Sequence, residues 1–323
     1  MTVMIFGGCG FVGLNIAEAL LREGAAVALV DRNPLPDAAA RAFAALPGRL
    51  EVLACDVTQP EQVAAVLRPG VRQVVLGAAL TAGPAREAAD PEGILAVNLL
   101  GPVNILRQAR AAGVARVLNL SSGSACGPVA GEDGLLREAG RTEPESLYAV
   151  SKRASEQVLA RLAGLWEQDV LSVRLSAVFG PWERATGARD TLSPQCQLLQ
   201  AAARGEPALL PREGRRDWIY APDVAAAVLV LLRAPQLRHR LYNITQPEAW
   251  TVLRWGAEVA RHWPGLACRL AAPGEAPSVS LHGNHDRPNL DPARLADEFG
   301  WHAKWGMAAS AEHLAGWWRA QAG

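Results

Sequence analysis

GGCGFVG, residues 7–13, stands between the apolar run VMIFG at 3–7 and a helical stretch in which Ile16, Ala19 and Leu20 share one face. After a strand and at the opening of a helix, such a cluster reads as a phosphate-binding turn rather than a chance run of glycines. Gly7 and Gly10 let the backbone turn tightly and approach a pyrophosphate with no Cβ in the way, and Gly13 lets helix and strand pack closely. Phe11 and Val12 complete the turn at the helix N-terminus, where unpaired amides and the positive end of the helix dipole favour an anion. Gly24 is well placed to end the helix.

Working outward, short β-branched runs alternate with longer Ala/Leu-rich helical patterns. The runs are AVALVD at 26–31, LEVLACD at 50–56, QVVLGA at 73–78, RVLNLSS at 116–122 and LSVRLS at 171–176. That alternation is what a parallel sheet with covering helices requires. The expected fold is α/β, a Rossmann-type doubly wound parallel sheet with a smaller C-terminal substrate-binding lobe. Residues 1–178 are expected to form the dinucleotide-binding domain. Past about residue 178 the texture changes, with nine of the ten tryptophans and the loops GPWERATGARDTLSP and LPREGRRDW. Residues 179–323 are therefore assigned to the second lobe. RDWIYAPDVAAAVLVLL at 216–232 again reads as strand, turn and buried helix, so the chain is expected to return to the first domain over about 216–245.

With 323 residues, half of them hydrophobic, the chain can bury a sizeable core. Its 32 basic and 32 acidic residues cancel, which leaves no basic stripe for nucleic acid. The longest apolar run near 225–232 is too short to cross a bilayer, and the start at Met1 has no basic region or room for a signal peptide. Five cysteines, Cys9, Cys55, Cys126, Cys196 and Cys268, are scattered and never spaced as CxxC. They read as reduced thiols in a cytoplasmic protein. The histidines at 239, 262, 282, 285, 302 and 313 show no metal-ligand spacing, so no metal is expected.

Asp31 ends the second strand eighteen residues after Gly13, where a carboxylate accepts both ribose hydroxyls and repels a 2′-phosphate. This favours NAD over NADP, although the neighbouring Arg32 suits a 2′-phosphate and keeps the alternative open. Asp56-Val57, at the end of the third strand, reads equally as an adenine contact and as a turn or helix cap at Asp56.

Among the 32 basic residues only Lys152 and Lys304 are lysine, and tyrosine occurs only at 148, 220 and 242. YAVSK at 148–152 is therefore a marked choice. Four residues apart in a helical stretch, Tyr148 and Lys152 share one face a turn from each other. An ammonium beside a phenol stabilises the phenolate, lowering its pKa from about 10 toward a range useful for proton transfer. A hydroxyl at the end of the fifth strand, Ser122, or its competitor Ser121, is placed to bind the same substrate oxygen.

Taken in order, GGCGFVG, Asp31, Asp56-Val57, GAAL at 77–80, Asn98 in VNLLGPVNIL, SSGSACG at 121–127, YAVSK, VFGPWE at 178–183, RDWIYAPDVA at 216–225 and HDRPNLDPARLADEFGW resemble the extended short-chain dehydrogenase/reductase family, in its NAD-dependent epimerase/dehydratase branch. The resemblance covers nearly the whole chain. It implies that Tyr148 is the acid/base, that Lys152 lowers its pKa and holds the nicotinamide ribose, and that Ser122 orients the reacting oxygen. It further implies that Ala78 and Ala79 line the cofactor, that Asn98 supports a helix kink and water network, and that Thr81 and Ser124 face the substrate. The helices around 92–112 and 148–164 would pair across a two-fold axis into a homodimer.

The departures carry information too. Dehydratases of the family carry an acidic pair after the catalytic hydroxyl; Gly123 and Ser124 stand there, which argues against water loss. Ala177 replaces an Asn that touches the diphosphate in nucleotide-sugar enzymes. Cys126 replaces an aromatic and is expected to leave more room near nicotinamide or substrate. Arg216 and Arg287 match two arginines that grip an anionic substrate, and a guanidinium fork suits a diphosphate or a carboxylate; each also reads as a surface arginine. The loop from Trp182 to Ser193, with Arg184 and Arg189, reads as a lid, a pocket wall or a plain connection. Trp182 and Trp218 flank the expected pocket as core residues or stacking platforms.

The expected function is NAD-dependent hydride transfer at a secondary hydroxyl of a sugar-like substrate. A nucleotide-sugar epimerase working through a transient ketone leads, with a dehydrogenase of a free sugar or sugar acid as the alternative. A non-catalytic NAD-binding sensor or scaffold would need neither Tyr148 nor Lys152.

Overall fold

The structure is a computed structural model that describes residues 2–322 except 282 and 284; Met1, His282, Asn284 and Gly323 lie outside the described residues, and with His282 one of the histidines considered above. Seven parallel strands form the central sheet: β1 (Thr2–Phe6), β2 (Ala26–Asp31), β3 (Arg49–Ala54), β4 (Val71–Leu76), β5 (Arg116–Ser122), β6 (Val170–Leu175) and β7 (Leu241–Ile244). Their order is β3-β2-β1-β4-β5-β6-β7. The chain thus winds outward in both directions from β1, and the direction reverses between β1 and β4. In an open α/β sheet the crevice at the carboxyl ends of those two strands is where a ligand binds.

Alternation along each strand builds the two faces. Val3, Ile5, Val27 and Leu29 point into one apolar layer with Leu14, Ile16, Val224 and Val228. Met4, Phe6, Ala28 and Val30 point into the other with Ile105, Leu106 and Leu159. Helices Phe11–Arg22 and Ala221–Arg233 therefore cover one face, and Gly101–Ala111 and Leu147–Trp166 the other. Because both faces are covered, the central strands are buried nearly throughout, whereas edge strand β3 has the half-exposed burial of a strand with one open side. β2 and β5 keep the bounds read from the sequence, and the other strands read there differ by one or two residues, since hydrogen-bond pairing rather than the apolar run sets where a strand starts. Helix Phe11–Arg22 is capped at Glu23, immediately before Gly24.

Beyond β6 the short strand Ala177–Phe179 pairs with Trp218–Tyr220. These strands, the helices Pro194–Arg204, Val252–His262 and Met307–Ala322, and Trp250 and Trp255 enclose a separate apolar cluster. The chain re-enters the sheet at β7, whose Leu241–Ile244 align with Ser172–Leu175 of β6.

Candidate active site

The glycine turn is built from main chain. Gly7 has φ +75°, a left-handed backbone that favours glycine, and a Cβ there would lie 2.5 Å from the Ala78 amide nitrogen. A Cβ at Gly13 would lie 2.8 Å from Gly8 Cα, so this glycine packs the helix onto the turn. Gly10 differs: its Cβ would approach only Gly7 O, at 3.1 Å, and would otherwise occupy the crevice. Gly10 also precedes the helix Phe11–Arg22, whose first amides receive no side-chain cap. These unpaired donors beside open space fit a dinucleotide pyrophosphate.

The crevice is lined by Gly7, Gly10, Asp31, Arg32, Asp56, Val57, Gly77, Ala78 and Ala79, with Thr186 and Ala188 from the opposite side. Asp31 accepts the amides of Asn33 at 2.9 Å and Cys9 at 3.1 Å, one on each oxygen. A carboxylate oxygen has two lone pairs, so acceptor capacity remains for a ribose diol. Burial raises the Asp31 pKa, opposed by those two amides and by Arg184 and Arg32. Asp56 Oδ1 accepts the amide and hydroxyl of Thr58, at 2.9 and 2.8 Å, closing a local turn, while Asp56 and Val57 also line the crevice.

Segment 181–190 forms a strap along this crevice. Asn15 Nδ2 donates to Pro181 O at 2.8 Å, and Trp182 Nε1 to Glu18 at 2.7 Å. Arg184 Nη2 donates to Cys9 O at 2.7 Å, which places its guanidinium beside the glycine turn. At the far end the Thr81 amide donates to Ala188 O at 2.8 Å, the Asp190 amide donates to Thr81 O at 3.1 Å, and Arg86 pairs with Asp190 at 3.0 Å. The loop read as a lid, wall or connection thus walls the dinucleotide side. Trp182 is 5 % exposed and packs edge-on against Phe43 and Trp317. Trp218 is buried with Nε1 on Gly214 O and Arg216 over its ring. Both are core residues, as the first of the two sequence readings has them, because both rings are enclosed by packing.

Tyr148 and Lys152 stand on the helix Leu147–Trp166. Ser146 caps it by accepting the Ala149 amide. Tyr148 is half-buried, whereas Lys152 is buried and its Nζ donates to Leu120 O at 2.8 Å, two residues before Ser122. Burial lowers the Lys152 pKa to about 8, and Glu156 on the next turn acts in the opposite direction. Asn98 lies in a π-helical turn, Ala96–Leu100, and bridges Leu80 N at 2.8 Å, Leu80 O at 3.0 Å and Ser151 Oγ at 3.1 Å. Such a turn marks a local kink in a helix. The bridge ties the loop after β4 to the Tyr148 helix.

The two serines at the end of β5 divide their tasks. Ser121 Oγ donates to Glu156 at 2.6 Å, inside the sheet. Ser122 is half-buried and its Oγ accepts the Ser124 amide at 3.2 Å. Beneath them Glu156 pairs with Arg174 through two bonds, at 2.9 and 2.7 Å, and with Arg153 at 3.1 Å. Sequence reasoning missed this network. Its signals were Glu156 four residues after Lys152, and an arginine inside a strand that must be buried on both faces. Arg174 also donates to Cys126 Sγ at 3.3 Å, and Cys126 is 1 % exposed against Leu136 and Leu290. The room expected at Cys126 is therefore filled by Arg174 and that small cluster.

Arg216 and Arg287 lie close enough to repel. The Arg216 pKa is lowered to about 10, mainly by burial and then by Arg287. Arg287 Nη2 donates to Asp217 at 3.0 Å and to Ser176 at 3.2 Å. Asp217, fully buried, also accepts Thr245 Oγ1 and the Leu290 amide, each at 2.8 Å. The guanidinium comes to rest against Gly123. Thr81 lies at the strap end of the crevice, and Ala177 faces the second cluster.

The profile of the NAD dependent epimerase/dehydratase family matches residues 3–245. A probable UDP-glucuronate 4-epimerase of Rhizobium meliloti is 28% identical over 250 residues, 73% of this chain and 69% of that protein. A UDP-glucose 4-epimerase of Mycolicibacterium smegmatis is 24% identical over 95% of both chains. The structure of a Thermus thermophilus UDP-glucose 4-epimerase complexed with NAD superimposes with a TM-score of 0.79 at 27% identity over 99% of each chain. That of MoeE5 with UDP-glucuronic acid and NAD gives 0.81 at 25%, over 99% of this chain and 100% of the other.

Proposed function

The chain belongs to the NAD-dependent epimerase/dehydratase family, and on that premise we propose that it is a nucleotide-sugar epimerase acting at a secondary hydroxyl through a transient ketone. One observation carries this reading: Tyr148 and Lys152 lie a helical turn apart, with Lys152 tied to the strand that ends at Ser122, beside a crevice shaped for NAD. Held in that crevice, NAD would supply the hydride acceptor and donor for the carbon that bears the hydroxyl. Tyr148 accepts the hydroxyl proton as the ketone forms and gives it back when the ketone is reduced on its other face. Lys152 keeps a positive charge near that phenol, and Ser122 donates to the substrate oxygen. The bond of Ser121 to Glu156 supports Ser122 for this task.

Gly7, Gly10, Phe11, Val12, Gly13, Asp31, Arg32, Asp56, Val57, Ala78 and Ala79 hold the dinucleotide in this reading, with Asn98 fixing the floor behind it. Thr81, Ser124, Arg216 and Arg287 face the substrate. Residues 1–178, rejoined at about 216–245, carry the cofactor, and 179–323 supply the substrate lobe. A second reading, dehydrogenation of a free sugar or sugar acid, is favoured by Ala177, whose methyl offers a diphosphate no hydrogen bond. Denaturing the purified protein and assaying the released nucleotide separates the two. Retained NAD together with conversion of UDP-glucose or UDP-glucuronate to its C4 epimer is the expected result. An empty protein that reduces added NAD with sugar acids overturns the epimerase.

Leu100, 56 % exposed, and Val150, 44 % exposed, lie on the two helical segments proposed to pair in a homodimer, and Leu165, 56 % exposed, follows on the second helix. Solution scattering at micromolar concentration tests this, and a clean monomer refutes it. No helix among the described residues is long and apolar enough to cross a membrane. The unpaired thiols support a cytoplasmic location.

A further inference from the structure

We infer that the groove beside Asp31, into which Arg184 reaches from the strap, is a phosphate site at the edge of the adenosine ribose, so that the protein takes up the 2′-phosphorylated dinucleotide NADP as well as NAD. The inference concerns the cofactor and rests on the dinucleotide crevice, not on the sugar that is turned over. A cavity of about 410 Å³ lies next to that crevice, lined by residues 33–37 after β2 and by Arg184, Ala185 and Thr186 of the strap. Asn33 and Thr186 line both spaces, so the two join there. The junction is at the ribose: the Asn33 amide donates to Asp31 Oδ1 at 2.9 Å, and Asp31 is the carboxylate placed to accept the ribose hydroxyls. The pyrophosphate belongs at the uncapped amides of the helix Phe11–Arg22, so a group that enters the groove is one carried by the ribose itself.

The chemistry of the groove selects a phosphate. Arg184 Nη2 donates to Cys9 O at 2.7 Å, which fixes the guanidinium, while Nη1 meets only Trp182 O, at 3.5 Å. A guanidinium carries more N–H donors than these two contacts use, and it presents them to phosphate oxygens as a planar fork. Burial lowers the Arg184 pKa, and an anion alongside offsets that cost. Asp31 opposes a 2′-phosphate. Burial raises its pKa and, after the two amides, Arg184 and then Arg32 lower it, so two guanidinium charges stand against one carboxylate. Arg32, the residue that suits a 2′-phosphate in the sequence, is exposed, whereas Arg184 is half-buried and already anchored. Asp37 also lines the groove, but it is exposed and its charge is screened by solvent.

NAD and NADP differ only in that phosphate, and a mixture of the two reports on it. The purified protein is held with an equimolar excess of both until the bound fraction is constant, freed of unbound nucleotide and denatured, and the released dinucleotides are separated and quantified. The expected affinity for NADP is within about tenfold of that for NAD, which makes NADP at least about a tenth of what is released. A smaller share overturns the site. In Arg184→Met the ratio of NADP to NAD should fall at least about tenfold. Loss of the bond to Cys9 O acts on both dinucleotides alike, so an arginine that only fastens the strap leaves the ratio unmoved, and an unmoved ratio overturns the proposal. Ala185→Asp changes an exposed residue of the groove and should lower the same ratio at least about threefold; a ratio that holds or rises counts against the groove. Release of NAD without NADP overturns the phosphate site and leaves the crevice and the epimerase reading standing. Release of neither overturns both the phosphate site and the crevice.

Discussion

The two halves of the crevice are made of different material. The dinucleotide end is main chain: Gly7 and Gly13, which admit no Cβ, helix amides without caps, and carbonyls that fix the strap. The end around Tyr148, Lys152 and Ser122 is side chain, beside a network in which Glu156, Arg174 and Ser121 are buried and Arg153 is half-buried. A backbone site is changed only by altering the path or bulk of the chain, whereas a side-chain site is changed by one charge or one hydroxyl. Single substitutions therefore separate binding from folding at the first end and chemistry from folding at the second.

The largest effect expected is Tyr148→Phe, which removes the proposed proton carrier and should lower kcat by about 10² to 10⁴-fold with NAD content unchanged. Unaltered turnover sinks the mechanism. Arg174→Met leaves Glu156 buried with Arg153 and Ser121 as partners, and it should cost about 3 to 5 kcal/mol in denaturant unfolding. A loss below 1 kcal/mol, measured the same way, shows that the pair is not structural.

Lys152 supplies a pH test. Burial holds its folded pKa down near 8, against about 10.4 unfolded. Below about 8 both states carry the proton and folding bears the whole burial penalty. Between about 8 and 10.4 the unfolded chain keeps a proton that the folded chain has released, so this residue makes stability rise with pH across that window. The gain is at most about 3 kcal/mol and should vanish in Lys152→Met. Subtracting the two unfolding curves removes the titrations of tyrosines and cysteines, and curves that stay parallel exclude the effect.

The smallest stability effects fall within the glycine turn. Gly13→Ala forces a methyl against Gly8 and should cost about 1 to 3 kcal/mol. Gly10→Ala, with only Gly7 O near its Cβ, should change stability by less than about 0.5 kcal/mol while NAD content falls. Equal destabilisation by both substitutions would erase the distinction between a packing glycine and a binding one.

The same contrast explains what was legible in the sequence. Backbone requirements leave a local record, because a tight turn between strand and helix demands glycine at fixed offsets; β1, the turn and Asp31 were readable within thirty residues. Tyr148 and Lys152 were readable because the types are scarce and the helical period links them. The exclusion of a platform role for Trp182 and Trp218 was not, since an aromatic in a Pro/Gly loop has the same sequence signature whether its ring meets Phe43 or a sugar. Nor was the bond from Arg184 to Cys9, which joins residues 175 apart in a chain rich in arginine. Cys126 failed for a related reason: a smaller residue makes room only if no long side chain, here Arg174, already fills it.

The strap has a kinetic meaning. Its ends are fastened to Glu18 and Asn15 on one side and to Thr81 and Arg86 on the other, with Thr186 and Ala188 facing the crevice between them. Each fastening is worth only about 0.5 to 1.5 kcal/mol net, but they lie along one short segment and yield together. A dinucleotide in this crevice would leave past that segment, so substitutions at Glu18 or Asp190 are expected to speed its release, read as the dissociation rate of bound NAD; an unchanged rate excludes the role.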